Sequence, residues 1–208
     1  TLSARSTTVL THLTAIEKLV ERYKSGVTEL AVSGALTESY RRLNSLPDPK
    51  DATFVDWFDY KGGSQPPKST FHPEPAQGRI RLLQIRDFAS DDKAVYIDDN
   101  GKWPRCNAED IMVGRYGASV GKILSGKAGA YNVALVKWVF DRSEFDPAWI
   151  YALLKSDVFQ RPLAAVSRSA QDGFNKGDVE NIEFLKLCID EQREIVRRIE
   201  TAFAKIDR

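Results

Sequence analysis

The chain has 208 residues, 42% of them hydrophobic and 28% charged, which is ordinary for a globular protein and too apolar for a disordered one. Thirty Lys and Arg against 29 Asp and Glu leave a net charge of +1, which excludes a uniformly basic nucleic-acid coat protein. No uncharged apolar run approaches the ~18 residues of a membrane span, since the best, Val133–Phe140, is interrupted by Lys137.

The first segment reads as a long helix. Leu2, Val9, Leu13, Ile16, Val20, Tyr23, Val27 and Leu30 follow heptad spacing, with Ser6 in the one polar slot. Such a narrow stripe cannot bury itself and calls for a partner helix. Ser33-Gly34 ends or bends it, and Leu46-Pro47-Asp48-Pro49 marks a boundary. The domain boundaries expected are 1–46, 47–188 and 189–208.

The middle segment reads as mixed α/β. Strands are expected at Phe54–Tyr60, Ile80–Arg86, Ala94–Ile97, Asp110–Val113, Val120–Leu124 and Val133–Phe140. Gly/Pro/Ser-rich loops separate them. Asp146-Pro147 has the form of a helix cap followed by a first-turn proline, predicting a helix over Ala148–Ser156 that continues towards Phe159. A last element, Asp178–Leu187, leads to a second helix, Asp190–Ile206. In it Ile195, Ile199, Ala202 and Ile206 step by four, three and four. The expected fold is therefore α+β, with long flanking helices packed as an antiparallel coiled coil. The aromatics Trp57, Phe58, Trp103, Trp138 and Trp149 are expected in the core.

The near-neutral total hides an uneven distribution. Residues 111–140 hold Arg115, Lys122, Lys127 and Lys137 and no acid, and residues 60–73, 75–86 and 158–171 are likewise basic and acid-free. The acids gather at Asp87–Asp99 and Asp141–Asp146. Acid-free basic windows that coincide with Gly/Ser loops suit phosphate contact, with Lys and Arg for charge and backbone N–H groups as directed donors. Candidate DNA-contact residues are Lys61, Ser64, Gln65, Lys68, Arg86, Arg115, Tyr116, Ser119, Lys122, Lys127, Arg168, Gln171, Asn175 and Lys176. Gln, Asn and Arg among them are side chains that read base edges. The competing reading is a solvated surface of scattered charges.

Catalytic patterns are weak. Gly117-Ala-Ser-Val-Gly121-Lys122-Ile123 has three residues between its glycines and Ile after the Lys, where a nucleotide loop needs four and Ser or Thr. A tight strand–turn–strand is the better reading. Cys106 has no histidine near it in sequence and reads as buried, and Cys188 reads as core. Asp91-Asp92 and Asp98-Asp99 read as solvated pairs rather than a metal site, and His12 and His72 lack ligand spacing.

Several stretches together resemble the specificity subunit of type I restriction–modification enzymes. Tyr23–Glu38 resembles the end of the family's central helix, with a Gly-x-Leu-Thr step. Gly78-Arg-Ile-Arg-Leu-Leu-Gln-Ile-Arg86 is similar to the early strand of its recognition domains. Asp110-Ile-Met-Val-Gly-Arg-Tyr-Gly117 followed by Val120-Gly-Lys122 resembles a family loop pattern, as does Ser169-Ala-Gln-Asp-Gly-Phe-Asn175. Asp190-Glu-Gln-Arg-Glu-Ile-Val resembles the start of the distal helix. Ala170 and Glu109 stand where Gly is usual, and Cys188-Ile189 replaces the frequent prolines before the last helix.

The resemblance implies a non-catalytic reader of one half of a split DNA target, carried by one recognition domain between two spacer helices. It implies double-stranded DNA and methyltransferase (modification) subunits as partners, and the restriction subunit indirectly. It implies no cofactor on this chain, with S-adenosylmethionine on the modification subunit, and a cytoplasmic, membrane-free setting. The chain is expected to be a fragment or a half-subunit. The seam of Leu13, Ile16, Val20, Tyr23, Val27 and Leu30 with Ile195, Ile199, Ala202 and Ile206 is expected to take a partner helix or a second copy. The rival reading is a coiled-coil assembly adaptor that binds proteins only.

Overall fold

The computed structural model describes residues 2–167 and 173–206. In chain order the elements begin with α1 (Leu2–Val32), α2 (Glu38–Leu43), β1 (Lys50–Thr53), α3 (Phe54–Trp57) and β2 (Asp59–Gly62). The central strands are β3 (Arg79–Leu83), β4 (Tyr96–Asp98), β5 (Arg105–Cys106), β6 (Met112–Gly114), β7 (Ile123–Leu124), β8 (Gly129–Tyr131) and β9 (Leu135–Val139). Then come α4 (Pro147–Lys155), α5 (Asp157–Ser167), β10 (Glu183–Lys186) and α6 (Ile189–Ala204). The chain divides into two compact units, one of residues 1–50 with 185–208 and one of residues 51–184.

In the helical unit, α6 runs beside the last turns of α1 in the opposite direction. Glu191 at the start of α6 meets Thr37 and Arg41, whereas Phe203 near its end lies under the Lys24 ammonium at 5.4 Å. Ala31 and Val32 are buried there, and so are Leu187 and Ile195. The buried face of α1 drifts from the heptad stripe. Val20 and Val27 are half-buried, as are Lys24 and Thr28, while Tyr23 is 50% and Leu30 52% exposed. A straight helix turns about 3.6 residues per cycle rather than 3.5, so a neighbour seated at Val20 meets residues 24 and 31 rather than 23 and 30. Further up, Leu13 (51%) and Ile16 (57%) are exposed. On α6, Ile195 is buried and Ile199, Ala202 and Ile206 are half-buried.

The larger unit holds two four-stranded sheets, ordered β2-β9-β6-β7 and β4-β3-β8-β5. The first is antiparallel, with Tyr60 opposite Trp138 and Val113 opposite Val136. The second is mixed: β3 pairs parallel to β8 and antiparallel to β4. One core joins side chains of both sheets, Leu83, Cys106 and Tyr131 from the second and Met112 and Leu135 from the first. A second core is aromatic. Phe54, Phe58, Trp138, Phe145, Phe159 and Phe184 lie with ring centroids 5.0–6.3 Å apart along the chain of contacts. Helix α4 enters it through Trp149, Ile150, Leu153 and Leu154, all buried.

Five local expectations are corrected. Phe54–Tyr60 is not one strand, because the Asp56 carboxylate accepts from the Thr53 N–H at 3.3 Å and turns Phe54–Trp57 into helix before β2 starts. Ile85 and Arg86 lie in a 3-10 turn, Ile85–Phe88, anchored by the Gln84 N–H to buried Asp87 at 2.6 Å. Within Val120–Leu124 only Ile123–Leu124 is strand. The α4 helix stops at Ser156, whose hydroxyl turns back to the Leu153 carbonyl at 2.7 Å, and α5 begins anew. Trp57 is 37% exposed and is not core, unlike Trp138 and Trp149; Phe58 and Trp103 are half-buried.

Candidate nucleic-acid interface

Four loops of the larger unit, far apart in sequence, are laced together by hydrogen bonds to backbone carbonyls. The Gly63 and Ser64 N–H groups donate to the Leu135 and Tyr131 carbonyls, each at 3.1 Å. On the other side of the 131–135 loop, the Arg115 N–H donates to Ala134 at 2.9 Å. The Arg115 Nε then donates to the Phe174 carbonyl at 3.0 Å. Two glycines permit this closeness. A Cβ at Gly63 would lie 2.0 Å from the Asn132 carbonyl oxygen, and one at Gly173, where φ is +77°, would lie 2.2 Å from the Arg115 oxygen.

This lacing brings Lys61, Ser64, Arg115, Tyr116, Asn175 and Lys176 into one rim. The Lys61 carbonyl accepts from the Tyr131 hydroxyl at 3.1 Å. The Arg115 guanidinium lies over the Tyr116 ring at 5.1 Å. Phe174 is buried edge-on against Tyr60 at 5.7 Å. The Asn175 N–H donates to Asp178 at 2.7 Å, fixing the turn that carries Lys176. Ser119 and Lys122 sit on the β6–β7 hairpin, which closes through the Gly114 N–H to the Lys122 carbonyl at 2.9 Å. That hairpin is the expected strand–turn–strand. Gln65 follows Ser64 and donates to the Pro66 carbonyl at 3.1 Å, and Lys68 is exposed in the turn Lys68–Thr70.

Other candidates lie elsewhere. Arg86 and Lys127 belong to a separate cluster around Asp91, where Lys127 Nζ stands 2.8 and 2.9 Å from the two carboxylate oxygens. Arg168 and Gln171 lie outside the described residues.

The charges are less available than their count suggests. Lys176 Nζ stands 2.5 Å from Asp59 Oδ1. Its hydrogen bond holds the Asp59 carboxyl below the usual range, and the same contact raises the Lys176 ammonium. Arg115 spends its Nε on a carbonyl. Lys61, Lys68 and Lys122 have no ion pair among the described residues and remain open to a phosphate. Lys61 stands opposite Lys137 across β2 and β9, and Lys137 is held by Asp110 at 3.3 Å. Sequence reasoning missed the acids that neutralise these cations. Asp91 and Lys127 are 36 residues apart, so no local window joins them.

Beside the rim is a cavity of about 260 Å³ lined by Phe54, Phe58, Tyr60 and Trp138 together with Asp59 and Lys176. Of its charged side chains, Asp59 and Lys176 are paired with one another at 2.5 Å. Burial pushes the Cys106 thiol up to about 11, which leaves it protonated at neutral pH and a poor nucleophile. No group of three His, Cys, Asp or Glu side chains able to hold a metal occurs among the described residues. No helix among them is long and apolar enough to cross a membrane.

No family model and no curated protein sequence matches the chain. Solved structures do. One, described as the basis of complex assembly and conformational transition of the type I R-M system, aligns over 99% of this chain and 51% of its own, with a TM-score of 0.62 at 16% identity. The S subunit of the type I restriction-modification system from M. genitalium aligns over 94% of this chain and 51% of its own, at 15% identity and a TM-score of 0.59. The HsdS subunit from Thermoanaerobacter tengcongensis aligns over 97% and 50%, at 16% identity and 0.59. The chain thus shares this fold along nearly all of its own length and spans about half the length of the solved chains it matches.

Proposed function

We propose that this chain, which has the fold of type I restriction–modification specificity subunits, reads one half of a split DNA target for such a system. The supporting observation is the laced rim, in which four sequence-distant loops gather the open Lys61 with Ser, Tyr and Asn side chains, while the open Lys68 and Lys122 lie on the same loops beyond it. Lys61, Lys68 and Lys122 hold phosphates, and Ser64, Gln65, Tyr116 and Asn175 are the candidates for base edges. The larger unit is the target-recognition domain. Helices α1 and α6 are the spacer, and the exposed apolar side chains of α1 continue the seam as an antiparallel coiled coil with a helix of the other half.

The chain itself is non-catalytic in this reading. The methyltransferase subunits bind the spacer, carry S-adenosylmethionine, and extrude and methylate the base. A pure assembly adaptor would leave the open lysines of the rim without a role. The deciding experiment is filter binding to random and enriched duplexes, with the modification subunits present and across a salt series. A sequence preference with affinity that falls as salt rises is expected. Binding without preference, or without salt dependence, overturns the proposal.

A further inference from the structure

Arg81 of β3 and Lys127, two residues before β8, converge on one carboxylate. Arg81 Nη2 stands 2.5 Å from Asp91 Oδ1, and Lys127 Nζ stands 2.8 and 2.9 Å from the two oxygens. Asp91 lies on a turn before β4, and its side chain is 58% exposed. Asp87, fully buried, accepts from the Gln84 N–H through Oδ2, while its Oδ1 lies 4.0 Å from the same guanidinium and keeps a second negative charge beside Arg81. Arg86 donates to the Lys93 carbonyl on the same turn at 3.4 Å. The hydrogen bonds from Lys127 and then Arg81 lower the Asp91 carboxyl to about 2, so it is ionised at neutral pH.

A carboxylate accepting from a guanidinium and an ammonium at once presents them with what two phosphate oxygens would. Asp91 is the exposed partner, at 58% against 19% for Arg81 and 28% for Lys127, so the carboxylate is the member that an incoming anion can replace. From Lys127 to Asn132 of the rim is five residues, at most about 17 Å of strand, which is within one turn of duplex, about 34 Å.

We propose that Asp91 is an internal stand-in for a backbone phosphate. In the free chain it occupies the Arg81–Lys127 pair; on a docked duplex a phosphate replaces it and the Asp91 turn moves aside. This rests on the DNA-reading function above. An occupied cation pair adds nothing to indiscriminate binding, so Asp91 keeps the affinity for wrong sequences low.

The test compares the 208-residue chain with Asp91→Asn, Asp92→Asn and the double variant Asp91→Asn with Lys127→Gln. Each is titrated, with the modification subunits present, on a random-sequence duplex between about 50 and 200 mM salt. Asp92 is the control, an exposed neighbouring acid whose carboxylate holds no cation among the described residues. Asp91→Asn is expected to bind several-fold more tightly than Asp92→Asn and to steepen the slope of log K on log salt by about 1 to 2. Adding Lys127→Gln is expected to return about half of that steepening.

Equal effects at positions 91 and 92 overturn the proposal, leaving only bulk charge. Unchanged or weaker binding by Asp91→Asn also overturns it, and makes the carboxylate a structural staple. If none of the four proteins holds a duplex at any salt, the DNA-reading function itself has failed. Circular dichroism checks that each variant is folded, and Asp91→Ser replaces Asp91→Asn if the latter is not.

Discussion

At the scale of single residues the rim depends on what is missing as much as on what is present. Gly63→Ala sets a methyl 2.0 Å from the Asn132 carbonyl oxygen, a backbone atom that cannot step aside alone. It is expected to cost about 1–3 kcal/mol in urea unfolding and to weaken duplex binding beyond that loss. Lys122→Gln makes the opposite change. Lys122 is exposed, with no ion pair among the described residues, so stability is expected to stay within about 0.5 kcal/mol. Affinity is expected to fall by a similar factor on every DNA sequence, with the salt slope shallower by about 1. The glycines and lysines were legible as residue types in the sequence. Their availability was not, since the pairing of Lys176 with Asp59 and Lys127 with Asp91 spans long sequence separations.

Among elements, those with many periods to read were legible. Helix α1, helix α6 and strand β9 show their apolar repeat over enough residues to be seen. Strands β5 and β8, two and three residues long, carry no period at all and exist because β3 offers β8 a parallel edge. Helix α4 was legible from its cap. The Asp146 carboxylate accepts from the Ala148 and Trp149 N–H groups at 2.9 and 3.3 Å, with Pro147 in the first turn.

Helix α6 carries a pH-sensitive brace. Arg197 first, and Arg198 as well, hold Glu194 at about 2, below the ~4.3 of a free glutamate. A carboxyl lowered by folding stabilises the fold above its unfolded value, and that contribution disappears as pH falls through the folded one. Stability in urea is therefore expected to decline from about pH 5 towards pH 2, and Glu194→Gln is expected to flatten this decline.

For the whole molecule, the net charge of +1 is the sum of a few open lysines and many cations already matched by acids. Under the proposed function, that arrangement leaves most of the affinity to partners. The larger unit has its own cores and both sheets, so the segment 51–184 expressed alone is expected to melt cooperatively. A broad, non-cooperative melt would contradict it.

The two ends of that unit lie side by side: the Phe54 N–H donates to the Ile182 carbonyl at 2.9 Å, and β1 and β10 form a two-stranded sheet. This bears on the order of folding. Helices α1 and α6 are separated by residues 33–188, about 156 residues of chain, whose random closure would cost several kcal/mol in entropy. Once the larger unit has folded, the flanking segments start from neighbouring points, and the effective loop shrinks to residues 33–50 and 185–188, sparing roughly 2 kcal/mol. Helix pairing is then expected to follow the folding of the segment between them, so a core substitution such as Leu83→Ala is expected to delay the pairing of α1 with α6.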